Sequence, residues 1–339
     1  VATTLFPFQL DSALVLRKCN GVNLVASEMG LGKSLTGLYW CYKMKRARPI
    51  IVVCPASLKW NWEHEASHHL DMMAEVLSGK TPPENSLMRS SHPIVIVNYD
   101  ILVHWLPYLI SLKPQVVIWD EAHYCAHAES QRYKALKRLI TEAKIPHRIA
   151  MSGTPLTNRP AELWTTLNLL WPKEFPSYVE YGFDFCEPKM VRGKIQFGGA
   201  RNLDKLHAKL KALGMIRLLK KDVMPELGNK VPSMVPLEIM DRKQYIYARD
   251  HFMRWLQETN PARVFRAKKN PHLVKIGYLL RLVVKLKRFA VLQWIEDFLS
   301  DSDEKLVVFS SHTRMLSWLG SKFNGSSVTI DGSVTGIKR

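Results

Sequence analysis

Acidic residues are scarce in this chain. Its 339 residues hold 30 Asp and Glu against 48 Lys and Arg, a formal charge of +18, with an isoelectric point near 9.7. That excess suits a surface that meets phosphates, the alternative being a basic enzyme with no polymeric partner. Cysteine is scarce too. Cys19, Cys41, Cys54, Cys125 and Cys186 form no CxxC pair, which argues against a zinc ribbon or a disulfide framework and leaves buried thiols in a reducing, intracellular compartment. No apolar run approaches 18 residues and no signal-peptide pattern occurs, so no membrane-spanning helix is expected. Internal repeats and low-complexity tracts are lacking as well. What is present, 47% apolar residues over this length, suffices for two domains with their own cores.

Residues 27–34 read SEMGLGKS. A nucleotide's phosphates need several backbone N–H donors pointing inward, so a loop that holds them bends tightly, and Gly30 and Gly32 permit the bend. Lys33 supplies a point charge to the β- and γ-phosphates, and the Ser34 hydroxyl is a candidate Mg²⁺ ligand. Met29, Gly30, Leu31, Gly32, Lys33 and Ser34 together form the candidate ATP-binding loop. The preceding VNLVA suits a buried parallel strand, and Leu35, Leu38, Tyr39 and Tyr42 recur at helical spacing afterwards. Phosphates would then meet a helix N-terminus, where the dipole favours anions. The strict GxxxxGK pattern fails, because Ser27 stands where it requires glycine. By itself the short string is a weak pointer.

Residues 116–123, VVIWDEAH, strengthen it. Four apolar residues make a strand that delivers two carboxylates at its C-terminal end, where ligands sit in open α/β sheets. Asp120 would hold Mg²⁺ through water, and Glu121 would orient and deprotonate an attacking water. An acidic strand end that merely caps the next helix would look the same. The glycine loop upstream and Ser152-Gly153-Thr154 downstream favour the NTPase.

The ordered strings LFPFQ (5–9), SEMGLGKS, VVCPASLKWNW (52–62), IVNYDIL (96–102), WDEAH, AMSGTPLTNRPAELW (150–164) and KLVVFSSH (305–312) resemble the Swi/Snf-type DNA translocases of helicase superfamily two. The likeness extends over essentially the whole chain. RPAEL at 159–163 and the stretch 199–223 are most similar to the branch of annealing helicases and HepA-like proteins. The resemblance implies that Gln9 reads the adenine edge, with Phe6 or Phe8 stacked nearby. It implies that Ser152, Gly153 and Thr154 couple the γ-phosphate state to movement between two lobes. It also implies that residues 55–59, including Lys59, together with Asn98 and Tyr99, face the DNA backbone from the first lobe, as Ser311, His312, Asp331 and Gly332 do from the second. The implied fold class is α/β, with two RecA-like lobes whose parallel sheets are flanked by helices, and with helical protrusions. Lobe one would span 1–224 with a protrusion around 171–214; 225–339 would be a linker and a partial second lobe, with 215–227 resembling the family's crossing segment.

Ser27 replaces the aspartate usual in such proteins, and Tyr124-Cys125-Ala126-His127 replaces the usual Leu-Lys-Asn after the acidic motif. The second change implies a different tuning of hydrolysis to DNA. The chain runs from Val1 to Arg339, eight residues past Asp331, short of the family's last two motifs and their arginine fingers. The expectation is a fragment with an incomplete second lobe, which binds ATP and duplex DNA with little turnover.

Short apolar runs at 50–54, 94–97, 116–119 and 148–151 alternate with helical patterns, as in a parallel α/β sheet. Helices are expected from about 160 and from 202, separated by an irregular, aromatic-rich stretch at 171–199. A linker around Gly228, Pro232 and Pro236 leads to expected helices at 241–259 and 273–299 and strands at 305–310 and 328–331.

Two strings point elsewhere. His64-Glu65-Ala66-Ser67-His68 is a literal HExxH, the zinc-protease helix motif; no downstream ligand pattern accompanies it, so a solvated helix face is the preferred reading. Arg263, Arg266, Lys268 and Lys269 beside Phe265 read equally well as a DNA contact or a solvated loop. The expected protein is a monomeric DNA-dependent ATPase that uses ATP and Mg²⁺ to translocate on double-stranded or forked DNA, remodelling DNA or protein–DNA complexes. The alternatives are a strand-separating helicase, a DNA-binding module without turnover and, distantly, a zinc metalloprotease.

Overall fold

The computed structural model describes residues 3–82, 92–156, 159–191, 193–227, 231–265, 271–332 and 334. The chain separates into two compact units, Val1–Gly228 and Asn229–Arg339.

The first unit begins with helix α1 (Pro7–Lys18) and strand β1 (Val22–Val25), followed by α2 (Lys33–Lys43), β2 (Ile50–Cys54) and α3 (Lys59–Leu70). Then come β3 (Ala74–Val76), β4 (Ile94–Asn98), α4 (Leu102–Ser111), β5 (Val116–Trp119), α5 (Gln131–Glu142), β6 (His147–Met151) and α6 (Trp164–Leu170). The six strands form one sheet in the order β1-β6-β5-β2-β4-β3, and every pair is parallel. Strands covered on both faces are continuously apolar rather than alternating, as IIVVC, IVIVN and VVIW are. Successive side chains nevertheless go to opposite sides. Ile51, Val53, Val117 and Trp119 join the core beneath α4, α5 and α6, while Ile50, Val52, Val116 and Ile118 join the one beneath α1, α2 and α3.

The stretch 171–199, expected to be irregular, is ordered into α7 (Tyr178–Phe185) and an antiparallel hairpin of β7 (Cys186–Val191) and β8 (Lys194–Ala200). Its alternation was hidden because, among the described side chains of the hairpin, only Cys186 and Phe197 are buried. Phe197 packs edge-on against Tyr178 and Phe183, so one aromatic cluster anchors both elements. Helix α8 (Leu203–Ala212) follows, then a short α9 (Lys220–Val223).

The described residues of the second unit form α10 (Arg242–Asp250), α11 (Phe252–Thr259), a 31-residue α12 (Pro271–Asp301) and α13 (Thr313–Lys322). Their core is Ala248, Phe252, Trp255, Leu256, Leu282 and Leu286. The strands expected at 305–310 and 328–331 are not formed. Both runs line one groove against α13, but a strand exists only through its ladder, and no backbone ladder joins them among the described residues. Val307, Phe309 and Val328 stay exposed. Among the described residues, the parallel sheet lies in the first unit.

Candidate nucleotide-binding site

Strands β1, β6 and β5 lie side by side, so the segments leaving their C-terminal ends converge, which is where open α/β sheets bind ligands. These segments are the glycine loop, Ser152-Gly153-Thr154, and Asp120-Glu121.

The loop enters α2 through two left-handed glycines, Gly30 (φ 80°) and Gly32 (φ 66°), a conformation that costs other residues a steric penalty. At Gly32 a Cβ would also collide with the Gln9 carboxamide. Lys33 Nζ donates to Glu28 O at 3.2 Å, and a Cβ built on Gly153 would lie 3.5 Å from the same ammonium. Burial lowers the Lys33 pKa; Asp120 and Glu121 pull it back up, while Arg217 and Lys220 push it further down. Ser34 sits half-buried in the first turn of α2.

Asp120 is buried at the end of β5. Its Oδ1 accepts from Glu121 N at 2.9 Å and its Oδ2 from Trp62 Nε1 at 3.0 Å. Burial raises its pKa despite both bonds. Glu121 has φ 49°. Burial, then the Asp120 charge, raises its pKa, while the His123 and Lys33 charges and the Ser152 side chain act to lower it. Glu121 Oε2 lies 3.3 Å from His123 Nδ1 without hydrogen-bond alignment, a buried oxygen with no hydrogen-bond partner.

These residues fit a magnesium nucleotide. Each Asp120 oxygen keeps a lone pair beyond its one donor, Ser34 offers a hydroxyl, and Mg²⁺ normally takes only one or two protein ligands beside phosphates and water. The unpartnered Glu121 oxygen suits an acceptor of a water proton.

The other expected residues fall into place unevenly. Gln9 is buried, accepting from Phe6 N at 3.0 Å and donating to Leu31 O at 3.4 Å, so its amide ties α1 to the loop. The Phe6 and Phe8 rings stack beside it at 5.5 Å. Lys59, Asn98 and Tyr99, expected to face DNA, are all buried, which corrects that reading. Lys59 Nζ donates to Leu77 O at 2.7 Å, and Tyr99 Oη donates to Asp120 O at 2.6 Å. Both satisfy backbone carbonyls that would otherwise be left unpaired. In the second unit Ser311 is exposed and His312, half-buried, donates its backbone N–H to Ser310 Oγ at 3.1 Å; Asp331 is half-buried and Gly332 exposed. Arg263 and Phe265 are exposed; Arg266, Lys268 and Lys269 lie outside the described residues. On α3 the His64 and His68 rings stack at 5.1 Å, and Glu65 accepts from Asn61. Among the described residues no group of three or more His, Cys, Asp or Glu is arranged to hold a metal.

Sequence reasoning missed Trp62 as the partner of Asp120, and it missed Arg217 and Lys220 at the loop. A buried donor beside an acidic motif could have suggested the first. No spacing signal connects residue 217 with residue 26.

A family model described as the SNF2-related domain matches residues 12–290. Among characterised proteins, the chain is 27% identical over 347 residues to the SWI/SNF-related matrix-associated actin-dependent regulator of chromatin subfamily A-like protein 1 of Xenopus tropicalis, covering 100% of this chain and 35% of that protein. It is 28% identical over 354 residues to the human DNA annealing helicase and endonuclease ZRANB3, covering 99% of this chain and 32% of that protein. The chain thus spans about a third of the length of these relatives. In fold it is similar to the Sulfolobus solfataricus SWI2/SNF2 ATPase core solved in complex with dsDNA, with a TM-score of 0.57 at 22% identity over 95% of this chain and 70% of that one.

Proposed function

This chain belongs to the SNF2-related family, and from that premise we propose that it is the ATPase of a double-stranded-DNA translocase that remodels DNA or protein–DNA complexes. The observation that carries the reading is the convergence of Lys33, Ser152-Gly153-Thr154 and Asp120-Glu121 at three neighbouring strand ends. Residues 1–224 are the nucleotide-binding lobe and 225–339 the linker and part of the second. ATP with Mg²⁺, when bound, supplies the phosphoryl-transfer chemistry. Gly30, Gly32 and Lys33 bind and orient its phosphates, Ser34 and Asp120 hold the metal, and Glu121 takes the proton of the attacking water. Gln9 fixes the loop against α1 and presents the remaining capacity of its amide to the base. Ser152 lies close enough to Glu121 to act on its ionisation, which links the base to the segment that would report the γ-phosphate.

Two relatives carry names of a chromatin regulator and a DNA annealing helicase, which supports duplex or forked DNA as the partner and a DNA-containing compartment as the location. The +18 charge agrees. The test is ATP turnover by the full-length protein with and without duplex DNA, together with triplex displacement and strand displacement. Turnover stimulated by duplex and displacement of a triplex without strand separation is the expected result. Strand separation would indicate a helicase instead, and DNA binding with no stimulated turnover would reduce the protein to a binding module.

A further inference from the structure

Residues 215–218 run alongside the end of β1 and the start of the glycine loop. Ile216 forms a parallel bridge with Val25, its N–H donating to Leu24 O at 3.0 Å and its carbonyl accepting from Ala26 N at 2.7 Å; Leu218 O accepts from Glu28 N at 2.9 Å. The Lys220 backbone N–H then donates to Glu28 Oε2 at 2.6 Å. Leu24, Val25, Ala26 and Glu28 are thus fastened to a segment far along the chain.

Two cations arrive with that segment. Arg217 Nη1 donates to Ala26 O and, at 3.3 Å, to Gly153 O, tying the loop's first residues to the segment after β6. Lys220 is aimed differently. A Cβ built on Gly30 would lie 3.2 Å from its Nζ and 3.4 Å from its Cε, so the ammonium sits against the left-handed glycine of the candidate phosphate loop. No hydrogen bond or ion pair holds that ammonium among the described residues. An ammonium held beside a phosphate-type loop by its own backbone, and in no ion pair among the described residues, is arranged for an anion.

We propose that Lys220 is a second phosphate-binding cation of the nucleotide site, presented against Gly30 by residues 215–219, with Arg217 as the positioning residue that fixes that segment to both the loop and Gly153. The inference rests on the nucleotide-site reading and extends it. The ligand class is a nucleoside di- or triphosphate, recognised through its phosphates and not through its base.

The test is calorimetric titration of this chain, at low salt, with ADP, with ATP and with adenosine. The parent is compared with Lys220→Gln, Lys220→Arg and Lys33→Ala. Lys220→Gln is expected to weaken ADP and ATP by roughly tenfold, the worth of one charge-assisted bond, and to leave adenosine unchanged. Its unfolding temperature without nucleotide should equal the parent's, since the ammonium holds nothing in the chain. Lys220→Arg should stay within roughly threefold of the parent, because the charge is kept. If Lys220→Gln binds both nucleotides as the parent does while Lys33→Ala does not, the proposal is overturned and the nucleotide site stands. If the parent itself binds neither nucleotide, the nucleotide-site reading fails and this inference with it.

Discussion

Trp62 Nε1 donates a 3.0 Å hydrogen bond to Asp120 Oδ2, joining α3 to the acidic end of β5. Helix α3 exposes His64 and His68 on one side and buries Trp62 on the other. With Glu121 N on Oδ1, the indole gives the carboxylate one donor per oxygen. That is how a buried aspartate is held in one orientation while its pKa is raised by burial. The string that imitates a protease motif therefore lies on the helix that braces the proposed metal ligand.

Trp62→Phe removes this donor and leaves a gap beside a buried carboxylate. A cost of roughly 2–3 kcal/mol in unfolding free energy is expected, from the lost bond to a charged group and the smaller ring. The Mg²⁺ concentration needed for half-maximal ATP binding should also rise, because Asp120 loses its orientation. Denaturant unfolding and a Mg²⁺ titration check both. A destabilised protein with an unchanged Mg²⁺ requirement would make Trp62 a packing residue only.

Glu121→Gln should stop hydrolysis and leave ATP binding intact, since size and hydrogen bonding are kept and the base is removed. A second effect follows from the raised pKa of Glu121. A carboxyl whose folded pKa lies above its unfolded value of about 4.3 contributes stability that is fully present below that value and lost as pH rises through the folded pKa. At neutral pH the ionised pair of Asp120 and Glu121 therefore costs stability. The glutamine variant without nucleotide should be more stable than the parent at pH 7, and the gap should shrink as pH falls toward 4. Thermal unfolding across that range decides it. A gap that grows on acidification would refute the assignment.

The parts legible in the sequence were those whose chemistry demands residue types at strand ends. The loop before α2 and the carboxylates after β5 fall where VNLVA and VVIW predicted strands. The hairpin of β7 and β8 was not legible because so few of its side chains are buried. Lys59 and Tyr99 misled for the opposite reason. Polar side chains at strand ends read as surface groups, yet here each reaches a backbone carbonyl of the interior. Arg217 was invisible because its partner Ala26 lies 191 residues away, beyond any local pattern.

Two glycines should separate packing from binding. A Cβ on Gly37 would run into the end of Met151 between α2 and β6, so Gly37→Ala should cost roughly 1–3 kcal/mol by overpacking and leave nucleotide affinity nearly unchanged. A Cβ on Gly153 would lie 2.7 Å from Met29 Cγ and 3.5 Å from Lys33 Nζ. Met29 is exposed and can shift, so Gly153→Ala should cost little stability while weakening ATP several-fold. Adding Met29→Ala should restore part of that loss. Equal effects of the two alanines on binding would contradict the proposed site.

The proposed DNA partner makes a prediction that needs no knowledge of its contact residues. A protein that tracks phosphates binds without much base preference, because backbone contacts position without specifying. Each phosphate neutralised releases condensed counterions, so log affinity should fall linearly with log salt, with a slope of about −0.9 per contact on duplex DNA. With a charge of +18, several such contacts are available. The slope should persist in Lys33→Ala, since Lys33 Nζ bonds to Glu28 O inside the loop and is proposed to serve the nucleotide alone. Filter binding or fluorescence anisotropy between 50 and 200 mM salt, a range over which about 6–10 contacts would cost 10³–10⁵ in affinity, measures it. An affinity insensitive to salt, or a strong preference between two unrelated duplexes of equal length, would rule out phosphate tracking as the mode of binding.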